Sequence, residues 1–137
     1  MSEYKEAMVY AINKSVADMV VVLQKSFDTD VKGALVSVDL VISTVESVGC
    51  TSKEMEIIRT SIDHIKQYKI ILNEKIDEFK NETKKHMPPW YSTESLYDDI
   101  DQLLAIIHST IDQKLDSMEK RLENLLTPVE NSVELPA

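Results

Sequence analysis

Apolar residues recur along this chain at alternating three- and four-residue steps, the period of an α-helix with one buried face. Tyr4, Met8, Ala11, Ile12, Val16, Met19, Val20, Leu23 and Phe27 predict a first helix over about 2–27. Asp28-Thr29-Asp30 follows, and short oxygen-bearing side chains favour a turn and then a helix cap. Val31, Leu35, Val38, Ile42 and Val45, widened by Ala34, Val41 and Val48, predict a second helix over 31–48. Val36-Ser37-Val38-Asp39-Leu40 also alternates like a strand. The alternation fails at Val41 while the helical pattern continues, so the helix is the better reading. Gly49 suits the left-handed residue that ends a helix.

The second half has longer periods. Thr51-Ser52-Lys53-Glu54 is a capping box, in which Thr51 accepts from a backbone N–H and Glu54 reaches back. Met55, Ile58, Ile62, Ile65, Leu72, Ile76 and Phe79 form a heptad seam with Lys69 as its polar interruption. This predicts a helix over 52–86, stopped by Pro88-Pro89. A fourth helix over 93–126 carries Ile100, Leu104, Ile107, Ile111, Leu115, Met118, Leu122 and Leu125. The two four-residue steps from Ile107 to Leu115 form a stutter, which locally unwinds a supercoil. Asp116 and Lys120 add a favourable i,i+4 pair. Thr127-Pro128 closes the helix, and 127–137 reads as a short, flexible acidic tail.

These elements predict an all-α chain with one helical domain over 1–126. It is a four-helix-bundle-like fold whose last two helices form a long antiparallel hairpin with coiled-coil character. Helices three and four would each be roughly 45–50 Å long and helix two only about 27 Å. The first two helices then leave part of the hairpin's apolar face for another chain. The candidate association seam is Ile58, Ile62, Ile65, Leu72, Ile76 and Phe79 with Ile107, Ile111, Leu115, Met118, Leu122 and Leu125.

Composition agrees with few, long helices: the 137 residues include only 2 Gly and 4 Pro. The net charge of −9 has the wrong sign for neutralising phosphates, which argues against nucleic acid and an anionic membrane surface. The longest uncharged apolar run, Met19 to Leu23, is far too short to span a bilayer. The N-terminal residues lack the basic flank and apolar stretch of a secretory signal. One cysteine, Cys50, makes no internal disulfide and fits a reducing, cytoplasmic setting. The acceptor patterns at Asn13 and Asn81 are chance matches in that setting.

Catalytic and cofactor chemistry finds little support. None of His64, His86 and His108 has a carboxylate three residues earlier or a histidine four residues later. One cysteine cannot build a thiolate zinc cage, and its place before a helix start supplies no base. Gly33 and Gly49 are too few for a phosphate loop. The carboxylates fall mainly on polar helix faces. The expectation is a non-enzyme without cofactor or metal.

One segment carries a binding motif. Pro88-Pro89-Trp90-Tyr91 matches Pro-Pro-x-Tyr, the short peptide bound by WW domains. Two prolines pre-form a polyproline II segment that docks on aromatic grooves at little ordering cost. The competing structural role is that the prolines end helix three while Trp90 and Tyr91 pack over the hairpin end. Trp90-Tyr91-Ser92 also resembles the Trp-x-Gly turn of the WXG family of exported helical hairpins, with Ser92 in place of glycine. Tyr97 and Asp101 match that family's Tyr-x-x-x-Asp/Glu spacing, but at the start of a helix and not after it. Tyr97 reads as a packing residue, although Tyr97-Asp98-Asp99-Ile100 fits a loose sorting pattern. The sequence therefore predicts an acidic, non-catalytic interaction or scaffold protein acting through helix–helix association. Its partner would be a second copy in a homo-oligomer or another protein, with a WW-domain docking turn at 88–91. The alternative is a small acidic chaperone-like or secretion-system partner that covers a helix of a cognate protein.

Overall fold

The computed structural model describes residues 3–49 and 52–134, with side chains described as far as Leu125. Cys50 and the Thr51 half of the capping box lie outside the described residues. Every regular element among the described residues is helical: α1 (Glu3–Ser26), a π-helical segment (Phe27–Lys32), α2 (Gly33–Val48), α3 (Ser52–Lys85) and α4 (Asp98–Glu134). The fold is all-α and bundle-like, as the periodicity predicts.

The expected turn at Asp28-Thr29-Asp30 is not a turn. Ser26, Lys32 and Gly33 keep right-handed helical angles, so α1 runs through the π segment into α2. The first two predicted helices are one rod about 70 Å long. Buried positions explain the π geometry. From Leu23 they proceed to Phe27, Val31 and Leu35 in three four-residue steps, before alternation resumes at Val38, Ile42 and Val45. In a straight α-helix each such step turns the side chain about 40° away from the core. The wider π turn absorbs that drift and keeps Phe27 and Val31 inward. The short polar residues bond along the helix instead of capping it. Thr29 donates to the Lys25 carbonyl at 2.8 Å, Gln24 to Asp28 at 3.1 Å and Ser26 to Asp30 at 3.3 Å. Gly49 ends the rod with φ 93° and donates its N–H to Val45 at 2.8 Å, a backbone shape L side chains rarely adopt.

Ion pairs and hydrogen bonds set the topology. Lys66 meets Glu119, Lys69 meets Asp112, and Lys80 meets Asp101, so α3 and α4 are antiparallel as predicted. Ser26 shares a 2.6 Å hydrogen bond with Tyr68, and Met8 lies across from Phe79, so the rod is antiparallel to α3. Asn13 near the start of the rod pairs with Tyr91 just before α4, and Ser43 near its end pairs with Arg121 late in α4, so rod and α4 run parallel. The result is an up-down-up bundle of three rods around one core, which includes Leu23, Val31, Ile42, Ile58, Ile76, Ile100, Ile111 and Met118.

Two ends differ from expectation. α4 starts at Asp98 and not near Ser92–Ser95. Ser95 has φ 65°, and residues 94–97 form tight turns that a right-handed helix cannot include. Helical backbone continues past Thr127-Pro128 to Glu134, where a stop was expected. Proline's φ is compatible with a helix, so the backbone passes Pro128 at the cost of one i→i−4 hydrogen bond, whereas two consecutive prolines end α3. The remainder of the predicted tail, 135–137, lies outside the described residues.

Candidate interaction surfaces

The predicted association seam lies inside the molecule. Ile58, Ile62, Ile65, Leu72, Ile76, Ile107, Ile111, Leu115, Met118 and Leu122 are buried, while Phe79 and Leu125 pack against them partly exposed. The physical reason is the length of the first rod. Two short helices would leave the hairpin uncovered, whereas one rod of about 70 Å spans it.

The seams that α4 makes are crossed by charge. Arg121 reaches from α4 to α2, donating to both oxygens of Glu46 (2.6 and 3.1 Å), to Ser43 (2.9 Å) and to Asp39. The Arg121 hydrogen bond holds the Glu46 carboxyl below its ordinary range, and the guanidinium is in turn held more firmly protonated. On the α3–α4 seam, the hydrogen bond from Lys66 to Glu119 raises the lysine pKa. His108 sits near Lys69 and Asp112 on that seam, with its Nε2 buried and without a protein partner. Burial lowers its pKa first, helped by Lys69 and opposed by Asp112. Sequence reading missed the Arg121 cluster. Its signal was present in Asp39, Ser43 and Glu46, which share one helix edge at steps of four and three.

The outward side of α2 is different. Val36, Leu40, Val41 and Val48 are exposed, and across the seam with α3 so is Ile57. On a helical projection, Val36, Ser47, Leu40, Gly33, Thr44, Ser37, Val48 and Val41 occupy one arc of about 140° without a charge. α2 carries only Asp39 and Glu46 as charged residues, and Arg121 engages both. The Val36–Leu40 alternation that imitates a strand is the sequence trace of this face, since apolar residues encircle the helix. A separate groove of about 390 Å³ lies between α1 and α3, lined by Met8, Ala11, Ile12, Ser15, Phe79, Glu82, Thr83 and His86.

The Pro88-Pro89-Trp90-Tyr91 segment is folded back. Tyr91 donates its N–H to the Pro88 carbonyl at 3.0 Å, closing a turn in place of an extended polyproline segment. Tyr91 is half-buried, and its hydroxyl donates to Asn13 at 2.9 Å. Trp90 is 42% exposed with Lys5 Nζ 5.2 Å from its ring centre. Tyr97 is buried, with its hydroxyl donating to the Lys80 carbonyl at 3.4 Å. Tyr97 therefore packs, and Trp90 and Tyr91 strap the α3–α4 connection to α1.

No protein family, no curated protein and no solved structure matches this chain. Among the described residues, no cluster of three or more His, Cys, Asp or Glu side chains could hold a metal ion. No described helix is long and apolar enough to cross a membrane.

Proposed function

We propose that this protein is a non-catalytic helical interaction module whose working surface is the outward side of α2 with the adjoining edge of α3. The observation that carries this reading is the charge-free α2 arc with Leu40 62% and Val48 79% exposed. The largest exposed apolar patch on a monomer is often its functional surface. In a chain of net charge −9, an arc free of charge is also where another acidic protein approaches with the least repulsion. The rigid bundle behind it presents the face without an ordering cost.

The test is binding of a neutral, environment-sensitive dye to dilute protein. Wild type should enhance its emission, and Leu40→Lys with Val48→Lys should abolish most of that signal at unchanged helical content. Equal signals from wild type and variant would remove α2 from the reading.

The α1–α3 groove favours a second reading, a chaperone-like module that covers a partner's amphipathic helix at Met8 and Phe79. Ala11→Glu separates the two, since it blocks that groove and leaves α2 intact. A WW domain could take the Pro88–Tyr91 segment only after Tyr91 leaves Asn13 and the Pro88 carbonyl. Docking there predicts tighter WW binding to Asn13→Ala than to wild type.

A further inference from the structure

We infer that the middle of the α3–α4 hairpin is an acid-operated latch, in which the two helices part when His108 takes up a proton.

The seam of α3 is apolar except at Lys69, with Ile65 and Leu72 buried on either side. Asp112 of α4 meets Lys69, and His108 stands one turn before Asp112 on the same face of α4. Lys69, His108 and Asp112 therefore form one polar layer in a seam whose neighbouring positions, Ile107 and Ile111 among them, are buried and apolar.

His108 is the member of that layer left without a partner. Among the described residues, its Nε2 is the one buried side-chain nitrogen or oxygen with no hydrogen-bond partner. A neutral imidazole can leave Nε2 as a bare acceptor. An imidazolium cannot, because both nitrogens then carry hydrogen and Nε2 needs an acceptor of its own. The carboxylate that acts on it, Asp112, is already engaged by Lys69. A proton on His108 thus sets two cations on one carboxylate in a half-buried layer. Burial opposes that charge first and Lys69 adds to the opposition.

The other charges nearby are committed elsewhere. Lys66 of α3 and Glu119 of α4 line the same cavity of about 540 Å³ but engage each other. Asp116 pairs with Lys120. The rod packs on the other flank of α4, where Arg121 takes up Asp39 and Glu46. Parting the seam is the remaining relief, since a solvated imidazole regains its ordinary value of 6.5. Each pH unit below that value then favours the parted form by up to about tenfold, until the closed form also takes up the proton. Lys80–Asp101 at one end and Arg121 at the other hold α4 in place, so the parting is local.

Native-state hydrogen exchange of the full chain, corrected for intrinsic rates and repeated in submolar urea, tests this. Amides over 66–76 and 105–115 should exchange in acid through an opening that urea does not promote, the mark of a local event that exposes little surface. Its population should rise by up to about tenfold per pH unit below 6.5, and His108→Gln should abolish that rise. Two further variants break the same ion pair with opposite effects on the acid response. Lys69→Met frees Asp112 for the imidazolium and should shrink the response, whereas Asp112→Asn should extend it to lower pH. An opening indifferent to pH would overturn the inference. So would one that urea promotes as strongly as unfolding at every pH, or equal responses from Lys69→Met and Asp112→Asn.

Discussion

Residues 27–32 and residues 86–97 both look like breaks in the helical pattern, and only one is a break. The first carries Asp28-Thr29-Asp30, whose side chains satisfy turn chemistry or helix chemistry equally well. Phe27 and Val31 decide between them, because both are buried and the core holds them on one side of a continuous rod. The second carries Pro88-Pro89, which removes two backbone donors and forces extended geometry before the second proline. A chain following Lys85 has no helical route through it. Polar residues thus suggest a break and packing can overrule them, whereas consecutive prolines impose one.

The sharpest test of that contrast is Phe27→Ala. If the π segment is held by packing, the variant should lose about 3–5 kcal/mol of unfolding free energy in chemical denaturation. A loss below about 1 kcal/mol would mean that the segment's own hydrogen bonds hold it.

Next in size is Arg121→Ala, which unties α4 from α2 and should cost about 1–2 kcal/mol, since its carboxylate partners are partly solvated. Acid titration of stability resolves the same seams. The Glu46 carboxyl titrates lower in the fold than its ordinary value of 4.5, so its contribution is complete above 4.5 and is lost as pH falls through the lowered folded pKa. Arg121→Ala should flatten that arm. His108 is held neutral, so below its ordinary value of 6.5 the unfolded chain takes up the proton first and stability falls until the lowered folded pKa is passed. His108→Gln should flatten this upper arm alone.

Asn13→Ala should cost about 0.5–1.5 kcal/mol through the Tyr91 hydroxyl. Tyr91→Phe should cost a similar amount, and the double variant little more than either single one. Additive losses would show that the two side chains act separately.

The smallest expected effect belongs to deletion of Thr29. Removing one exposed residue turns the three four-residue steps after Leu23 into alternating fours and threes, which a plain α-helix accommodates. Circular dichroism should show undiminished helicity and thermal denaturation one cooperative transition. Loss of cooperativity would mean that the π turn itself positions α2.

By itself the sequence determined the helical class, the centre of each inward face, the antiparallel relation of α3 and α4 and the stop at Pro88-Pro89. Each follows from local periodicity or from a covalent property of proline. At the edges of the predicted stripes Tyr4, Ala11, Val41 and Val48 face outward instead, because three rods cover a narrower strip of each helix than the apolar residues span. The sequence also held the first surface clue, in the valines and leucine around α2, although alternation there imitates a strand. Only the tertiary structure decided that residues 3–48 form one rod, because the choice between turn and π-helix depends on what covers Phe27 and Val31. It alone moved the candidate seam from Ile58 to Leu125 into the core. Periodicity shows that a helix face is apolar but not whether its own chain is long enough to cover it. The Arg121 cluster and the Tyr91–Asn13 strap belong to the same class, since each joins residues more than seventy positions apart. Such contacts exist only once packing has set how the three rods align.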